Sequence, residues 1–384
     1  MNDVATQKKQ RLLFVVTEDW YFCSHRLPLA TAAINAGFDV AIATRITDHA
    51  EIIQKAGLKI YPWNVSRGST NIFTELKALF RLLRIFWEVK PDLVHQVALK
   101  PVLYGSFIAK LVGPRKIVNA LGGMGFVFSN GEKKTRVLRT MILLAFKWLV
   151  SSKDGVLILQ NPEDCTLMIN EAGIDRERIR LIRGAGVNTQ EFDVGEEPIG
   201  VSLVILPARM LWDKGVGEFV EAATILKAEG VTARFGLVGD IDECNPAAIS
   251  RGQLQEWTDA GDVEWFGRRN DMPEIFRQAN IVCLPSYREG LPKVLLEAAA
   301  CGRAIVATDV PGCREIVEDG KNGLLVPARD SSALAEAVKK LILNPGMRRE
   351  MGKYGRAMVV NAFSEERVVN ETLDVYKKLP SENC

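Results

Sequence analysis

Short apolar runs alternate with segments of helical spacing along most of the chain. Each run is a few residues long and rich in Val, Ile and Leu, which is typical of the buried strands of a parallel sheet. The predicted strands are 12–16, 40–43, 59–61, 93–95, 118–120, 156–159, 179–182, 203–206, 235–239, 263–267, 281–284, 304–307 and 323–326. Helices are expected between them, most clearly at 27–35, 71–89 and 216–228, whereas the polar and aromatic segment 17–26 is expected to be a loop. The alternation predicts an α/β protein with two doubly wound, Rossmann-like domains that face each other across a cleft.

A break in this alternation divides the chain. Residues 186–200 lack periodicity and are rich in Gly, Asp, Glu and Pro, which is typical of a linker. A chain of 384 residues also exceeds the size at which one core keeps growing. We therefore expect an N-terminal domain over residues 1–190 and a C-terminal domain over residues 191–363. A last helical segment, 364–384, is expected to cross back to the first domain.

Composition narrows the class of protein. A formal charge of +2 is too small to indicate a nucleic-acid partner. The seven cysteines form no Cys-x-x-Cys pair and have no histidine at ligand spacing, so we expect reduced thiols, no metal site and no other cofactor. The N-terminus lacks the apolar core of a signal peptide, and no run reaches the roughly 18 to 20 apolar residues of a spanning helix. These features predict a cytoplasmic protein.

Two glutamates, Glu289 and Glu297, bracket a predicted helix start directly after the strand 281–284. The backbone N–H groups of Gly290 and Leu291 are expected to face the crevice at the carboxyl end of that strand, where anions bind in doubly wound sheets. Two glutamates eight positions apart are common by chance on helices. Their spacing alone is therefore a weak signal.

Two cations, Arg209 and Lys214, follow the strand 203–206 and are expected at the same sheet edge. A cationic pair opposite a helix N-terminus can neutralise the charge that develops on a diphosphate leaving group without a metal. The alternative is that both are solvated surface side chains. Their predicted position beside Glu289 and Glu297 favours the diphosphate site.

Two further segments each allow two interpretations. The loop with Gly122, Gly123 and Gly125 permits close backbone approach to a ligand, or is a tight turn. The segment 133–149 begins with basic residues and continues with apolar and aromatic ones. It is either a helix that lies on an anionic membrane surface or a core helix with solvated cations. The basic residues in question are Lys133, Lys134, Arg136 and Arg139.

The wider sequence around the two glutamates resembles the family-4 retaining glycosyltransferases, which have the GT-B fold. A Glu-x7-Glu motif of that family matches Glu289 and Glu297. Matching stretches occur in the same order as in the family, at 208–215, 286–302, 310–315 and 322–327. The resemblance covers nearly the whole chain and is most specific in its second half.

The resemblance implies that the C-terminal domain holds a nucleotide-sugar donor, expected to be a UDP-sugar. In this alignment Arg209 and Lys214 match the diphosphate-binding pair, Glu289 the donor-sugar contact and Glu297 the ribose contact. Further donor contacts are expected at Gly239, Gly267, Gly290 and Leu291. Such enzymes usually need no metal and retain the anomeric configuration, and the departing phosphate takes the proton of the acceptor.

The N-terminal half resembles family members that extend lipid-linked or cell-surface oligosaccharides, through the stretches 22–28 and 92–101. Val97 stands where many members carry a functional histidine. His95 and Lys100 are the candidates for that catalytic role, and the alternative is that no side chain takes it. The expected acceptor-side residues are His25, Arg26, Gly122, Gly123 and Gly125. A lone histidine at a strand end is more often structural, which is the alternative for His25 and His95.

The expected function is transfer of an N-acetylhexosamine or hexose from a UDP-sugar to a lipid-diphosphate-linked saccharide. This reaction belongs to the assembly of surface glycans such as lipopolysaccharide or O-antigen, and the enzyme is expected to be peripheral on the anionic inner membrane face. One alternative is a nucleotide-sugar 2-epimerase on the same architecture, which would need no acceptor. Another is a non-catalytic sugar-nucleotide-binding scaffold, which would not turn over the donor.

Overall fold

The predicted alternation of strands and helices is present in both halves of the chain. The structure is a computed structural model and describes residues 9–65, 71–114, 116–122, 133–150, 155–243 and 245–379. The chain divides into two units, the first formed by Met1–Ala185 with Val368–Cys384 and the second by Gly186–Arg367. Each unit contains one parallel sheet with helices on both faces, which confirms the predicted pair of doubly wound domains.

Unit 1 contains a seven-stranded sheet in the order β3-β2-β1-β4-β5-β6-β7. Its strands are β1 Arg11–Glu18, β2 Asp39–Arg45, β3 Lys59–Pro62, β4 Leu93–Val97, β5 Lys116–Ala120, β6 Gly155–Leu159 and β7 Ile179–Leu181. Its helices are α1 Asp19–His25, α2 Leu27–Asn35, α3 Ala50–Lys55, α4 Ile72–Val89, α5 Leu99–Val112, α6 Lys133–Val150 and α7 Pro162–Asn170.

Unit 2 contains a six-stranded sheet in the order β10-β9-β8-β11-β12-β13. Its strands are β8 Ser202–Pro207, β9 Ala233–Val238, β10 Glu264–Gly267, β11 Ile281–Leu284, β12 Ala304–Thr308 and β13 Gly323–Val326. Its helices are α8 Val216–Ala228, α9 Arg251–Asp259, α10 Met272–Gln278, α11 Lys293–Ala300, α12 Pro311–Arg314, α13 Ser331–Leu343 and α14 Pro345–Ala362. The last helix of the chain is α15 Glu365–Lys378.

Alternate side chains of β1 face two different cores of unit 1, as expected for a sheet covered on both sides. Leu12 and Phe14 pack with α2, α3 and α15, whereas Leu13 and Val15 pack with α4 and α5. A third core joins α5, α6 and α7 to β6. Right-handed crossovers explain why the helices are divided between the two faces of the sheet. The strand order reverses between β1 and β4, so the helices that follow the reversal cross on the opposite face.

The segment 17–26, expected to be a loop, is instead strand end and helix α1. The side chain of Asp19 fixes the start of this helix: it accepts hydrogen bonds from the backbone N–H of Trp20 at 2.7 Å and of Thr47 at 2.6 Å. The Thr47 hydroxyl donates to the same carboxylate at 2.6 Å. These bonds hold the pKa of Asp19 below its usual range despite its burial. A seven-residue helix anchored from a distant loop leaves no apolar periodicity in the sequence.

Residues 186–200, expected to be a linker, belong to unit 2, and the first part of this segment is packed into it. Val187 is fully buried, and its N–H donates to the carbonyl of Phe363 at 3.0 Å. The guanidinium of Arg356 donates to the carbonyls of Thr189 and Phe192 at 2.9 and 2.7 Å. Backbone pairing and arginine contacts of this kind need no periodic pattern, which is why the composition resembled that of a linker.

Candidate active site

The strand order of unit 2 reverses between β8 and β11, and the residues after these two strands form the candidate site. The chain adds β9 and β10 on one side of β8, and β12 and β13 on the other side of β11. β8 and β11 pair in parallel, so their carboxyl ends share one edge of the sheet. Ligands of doubly wound sheets bind at such a reversal because the loops diverge there and leave a crevice.

Lys214 and Glu289 meet at this edge. The ammonium of Lys214 donates to Oε1 of Glu289 at 2.5 Å, and the two side chains are only 20% and 12% exposed. Lys214 belongs to the loop after β8, and Glu289 to the loop after β11. The sequence places these residues 75 positions apart, and the fold makes them direct neighbours.

Tight packing between the two loops sets this geometry. Gly215 has φ +73, and a Cβ atom there would lie 2.1 Å from the carbonyl oxygen of Pro285. The N–H of Tyr287 donates to the carbonyl of Asp213 at 2.9 Å, a second link between the loops. Only glycine combines this backbone conformation with so close a contact. The role of Gly215 was not predicted from the sequence, although a glycine directly before a helix was the available signal.

Tyr287 also anchors the loop after β11 from the side. Its hydroxyl donates to the carboxylate of Glu218 on α8 at 2.6 Å. The guanidinium of Arg329 lies over its ring, 4.5 Å from the centroid. Burial and the Glu218 carboxylate raise the pKa of Tyr287 to about 12, so the hydroxyl remains a donor at neutral pH. The loop that carries Glu289 is thereby fixed on both sides.

The short helix α12 packs directly against the backbone of Glu289 and Gly290. A Cβ atom built on Gly312 would lie 2.5 Å from the carbonyl oxygen of Gly290 and 2.7 Å from that of Glu289. The neighbouring Leu291 is buried. Gly312 thus lets α12 support the loop at its point of closest approach.

Arg209 lies in the same loop as Lys214, but its guanidinium contacts a different carboxylate, that of Asp242 after β9. The predicted cations therefore each have an acidic partner. Because both ion pairs lie at the sheet edge and remain partly exposed, an incoming anion can exchange with the carboxylates.

Gly239 and Gly267 are brought together at the ends of β9 and β10. The N–H of Gly239 donates to the carbonyl of Gly267 at 2.9 Å, and both residues have positive φ, +151 and +63. A Cβ atom on Gly239 would lie 1.8 Å from the carbonyl oxygen of Ala208, whereas one on Gly267 would meet nothing within 4 Å. At Gly239 the missing side chain makes room for the Arg209 loop.

Glu297 lies on the second turn of α11. Its carboxylate is 3.6 Å from the ammonium of Lys293. Desolvation, only partly offset by Lys293 and increased by the nearby charge of Glu191, raises the pKa of Glu297 to about 7. Once deprotonated, the Glu297 carboxylate can accept hydrogen bonds from both hydroxyls of a ribose diol.

The raised pKa of Glu297 predicts a pH-dependent gain from Glu297→Gln. Between the unfolded pKa, 4.5, and the folded value of about 7, the folded state binds the proton that the unfolded state has released, so wild-type stability falls as pH rises. We expect the variant to match wild type near about pH 5 and to exceed it near about pH 8, by at most about 3 kcal/mol. Calorimetric unfolding at both pH values measures this, and an equal difference at both would contradict the raised pKa.

In unit 1, His95 belongs to the core. It is 1% exposed, its ring stacks on Phe14 at 5.2 Å, and its Nδ1 lies 2.5 Å from the hydroxyl of Tyr376 on α15. Burial, and next the nearby charge of Arg26, lower the pKa of His95 well below its ordinary value. This geometry favours the structural alternative for His95, and Val97 beside it is also fully buried.

Lys100 lies in the first turn of α5, after the end of β4. Its ammonium contacts the carboxylate of Glu75 on α4 at 2.9 Å, and the hydroxyl of Tyr104 donates to the same carboxylate. Lys100 therefore links α4 to α5.

Three of the five predicted acceptor-side residues lie in the described part of the chain. The ring of His25 stacks on Tyr21 at 4.2 Å, and a Cβ atom on Gly122 would lie 3.1 Å from the Tyr21 hydroxyl, so these two come together. Arg26 is buried, and its Nε has no hydrogen-bond partner among the described residues. Gly123 and Gly125 lie outside the described residues, so the choice between ligand loop and tight turn stays a prediction there.

The basic and aromatic segment 133–149 forms α6, and it has features of both interpretations. Ile142, Phe146 and Val150 are buried, as in a core helix, whereas the opposite face is exposed. Arg139 contacts both carboxylate oxygens of Glu171 at 2.6 Å. The side chains of the three more N-terminal cations, Lys133, Lys134 and Arg136, lie outside the described residues.

Within the described ranges, no cluster of three or more His, Cys, Asp or Glu side chains has the geometry of a metal site. Over the same ranges, no helix combines the length and apolar character needed to cross a membrane.

Two family models match the chain. The model for glycosyl transferase 4-like domains matches residues 11–160, and the model for glycosyl transferases group 1 matches residues 202–344. Together they account for well over half of the chain. Each lies largely within one of the two units.

Two similar proteins have names that specify a lipid-diphosphate acceptor. The N,N'-diacetylbacillosaminyl-diphospho-undecaprenol α-1,3-N-acetylgalactosaminyltransferase of Campylobacter jejuni is 28% identical over 371 residues, covering 92% of this chain and 95% of that protein. The UDP-Gal:α-D-GlcNAc-diphosphoundecaprenol α-1,3-galactosyltransferase of Escherichia coli is 25% identical over 322 residues, covering 80% of this chain and 80% of that protein.

Among solved structures, Anabaena HepE in complex with UDP-glucose is similar at a TM-score of 0.76 and 17% identity, covering 96% of this chain and 100% of that chain. At this identity the likeness bears on the fold. With glycosyltransferase models matched in both halves and a doubly wound sheet in each unit, the chain belongs to the group 1, family-4-like glycosyltransferases and has their GT-B fold.

Proposed function

We propose that this glycosyltransferase moves a sugar from a UDP-sugar to a lipid-diphosphate-linked saccharide and retains the anomeric configuration. The observation that carries the proposal is the Lys214–Glu289 pair at the strand reversal of unit 2. It combines a cation suited to a diphosphate with a carboxylate suited to a sugar hydroxyl. Unit 2 is then the donor-binding domain, and unit 1 the acceptor-binding domain.

In the proposed complex, the diphosphate of the donor takes the place of carboxylates beside Lys214 and Arg209. Glu289, released from Lys214, accepts a hydrogen bond from the donor sugar, and Glu297 accepts hydrogen bonds from the ribose. The glycine-rich ends of β9 and β10, at Gly239 and Gly267, and the loop at Gly290 and Leu291 complete the donor contacts. In this exchange Lys214 and Arg209 compensate the charge of the diphosphate, and Glu289 replaces its bond to the ammonium by a hydrogen bond from a sugar hydroxyl.

The reaction breaks the bond between C1 of the sugar and the β-phosphate oxygen. The acceptor oxygen forms its bond to C1 on the same face, and its proton passes to the departing phosphate, which leaves as UDP. Lys214 and Arg209 neutralise the charge that develops on that phosphate, so the step requires no metal. General-acid and general-base carboxylates on opposite sides of the scissile bond are not part of this mechanism.

The acceptor class follows from the names of the two similar transferases, which both specify diphospho-undecaprenol carriers. Their donors carry N-acetylgalactosamine and galactose, which supports an N-acetylhexosamine or hexose here. Such an acceptor is anchored in a bilayer, so we also propose a peripheral position on the cytoplasmic face of the inner membrane. The product would enter surface glycan assembly, such as lipopolysaccharide or O-antigen.

Mass spectrometry of a polyprenyl-diphosphate-linked saccharide, incubated with a panel of nucleotide sugars, tests the proposal. We expect the acceptor to gain one hexose or N-acetylhexosamine with a UDP-sugar, with unchanged yield in EDTA, and the new linkage to be α by NMR when the donor is α. A product formed without acceptor would instead indicate the epimerase alternative. Donor binding without turnover on any acceptor of this class would indicate the scaffold.

A further inference from the structure

Helix α4 has an apolar stripe on the side opposite to its buried face. The stripe consists of Phe73, Leu76, Phe80 and Trp87, spaced three, four and seven residues apart, whereas Leu83 packs against the core. The buried face consists of Ala78, Leu82, Ile85, Phe86 and Val89. At 100° per residue the two sets point in opposite directions, so one helix carries two separate apolar faces.

The stripe is largely exposed. Phe73, Phe80 and Trp87 are 80%, 68% and 59% exposed. Large aromatic side chains aligned along more than three helical turns are unusual at the surface of a protein that functions alone in water. A second surface must therefore compensate for their exposure.

The neighbouring helices of the same layer extend this surface. On α6, Met141, Leu144 and Trp148 are exposed on the side opposite to its core contacts, and on α5 Leu111 is 64% exposed. Side-chain contacts join the layer: Lys100 of α5 with Glu75 of α4, and Phe107 of α5 with Trp148 of α6. We call the exposed side of α4, α5 and α6 the outer helical face.

The charge of the outer helical face specifies its partner. Among the described side chains, helices α4, α5 and α6 contribute three, two and two Lys or Arg residues, against two, none and no Asp or Glu. On α6 these are Arg139, which is paired with Glu171, and Lys147. Of the two acids, Glu75 is paired with Lys100 and Glu88 with Arg84. An apolar strip with such a cationic excess matches a surface that is anionic outside and apolar just beneath.

From these observations we propose that the outer helical face is the membrane-docking surface of this enzyme, with the α4 stripe inserted among the lipid headgroups of an anionic bilayer. The sequence pattern had pointed to α6 alone. This proposal rests on the proposed function in one respect: a lipid-linked acceptor explains why the enzyme needs a membrane. The surface itself is identified by its exposure and charge alone. Trp87 and Trp148, each in the last turns of its helix, are suited to the interfacial depth.

Vesicle co-sedimentation of the full chain tests this surface. Wild type is expected to bind vesicles that contain phosphatidylglycerol, to bind phosphatidylcholine vesicles poorly, and to be released by salt. The double variant Phe80→Glu/Trp87→Glu should reduce binding at least about tenfold, because two rings lose their burial. Lys77→Glu/Lys147→Glu should reduce it by roughly fivefold or more per charge.

Ile52→Glu is the matched control, because Ile52 is also exposed but lies on α3, in the helix layer on the opposite face of the sheet. It should bind as wild type does. Unchanged vesicle binding by Phe80→Glu/Trp87→Glu would overturn the proposal. So would a wild-type dimer in sedimentation velocity that this variant dissociates while vesicle binding persists, because the stripe would then be an interface between copies.

Activity in two acceptor formats separates this proposal from the proposed function. With a detergent-dispersed lipid-linked acceptor, the stripe variant should transfer sugar at the wild-type rate, whereas with the acceptor in anionic vesicles its rate should fall with its binding. Equal rates of variant and wild type on vesicles would overturn the docking surface and leave the transferase assignment intact. Vesicle binding by wild type without transfer in either format would support the surface and contradict the proposed function.

Discussion

Replacing Lys214 with alanine is expected to slow sugar transfer by about a hundred- to a thousandfold, the usual effect of losing one fixed group that stabilises transition-state charge. The ammonium sits at the strand reversal, 2.5 Å from Glu289, and in the proposed mechanism it neutralises the departing phosphate. The loss should appear mainly in kcat, because charge accumulates on the phosphate only as the C1–O bond breaks.

The same variant leaves the carboxylate of Glu289 partly buried without its cation, so some loss of stability is also expected. The double variant Lys214→Ala/Glu289→Ala separates the two effects, since it removes both charges. If the pair serves only to hold the loops together, the double variant should recover activity along with stability. If the pair serves the donor, stability should recover and transfer should stay low.

Lys339→Ala is the matched control for Lys214→Ala. Lys339 also contacts a glutamate of the same unit, Glu229, at 2.7 Å, but this pair joins α13 to the residue directly after α8 through more exposed side chains. Loss of such a pair should change stability little and leave kcat unchanged, because solvent screens exposed ion pairs. Equal kinetics of the two alanine variants would remove Lys214 from the mechanism.

Gly312→Ala is expected to lower the rate of sugar transfer by about a hundredfold, although Gly312 is not itself among the residues predicted to contact the donor. The added methyl group would lie 2.5 Å from the carbonyl oxygen of Gly290 and 2.7 Å from that of Glu289, so the loop that carries Glu289 must move. A displaced carboxylate no longer meets the donor sugar at hydrogen-bonding distance. Overpacking of this kind should also destabilise the fold by about 1 to 3 kcal/mol.

Gly346→Ala provides the comparison, because a Cβ atom there meets nothing within 4 Å and the residue lies at the start of α14. That variant should have wild-type activity and equal or slightly greater stability. Steady-state kinetics and thermal unfolding of both variants check the pair of expectations. A wild-type kcat for Gly312→Ala would mean that the loop after β11 tolerates displacement.

The strands were predictable from the sequence because a parallel strand covered on both faces is a continuous apolar run. The relation between Lys214 and Glu289 was also within reach, since both follow strands of the same sheet and the topology of doubly wound sheets aligns such ends. Helix α1 was not predictable in this way. Its start depends on bonds from Thr47 to Asp19, which no local pattern reveals.

The buried state of His95 could not be read from its neighbours in sequence either. Its partner, Tyr376, is 281 positions away and belongs to the last helix of the chain. Gly312 is a different case: its φ is ordinary, so nothing local demands glycine, and only the backbone of Gly290 in three dimensions does. The burial of His95 and the need for glycine at position 312 both depend on contacts between segments that are distant in sequence.

The pairing of Val187 with the segment around Ser364 has a topological consequence. The chain enters unit 2 at Gly186 and leaves it at Arg367, and the N–H of Glu365 donates to the carbonyl of Val187 at 2.9 Å. Unit 2 therefore begins and ends at one point, as an inserted domain does. The two ends of the unit are thus held together by its own backbone hydrogen bonds, so residues 186–367 form one continuous stretch closed by a parallel bridge between Val187 and Ser364.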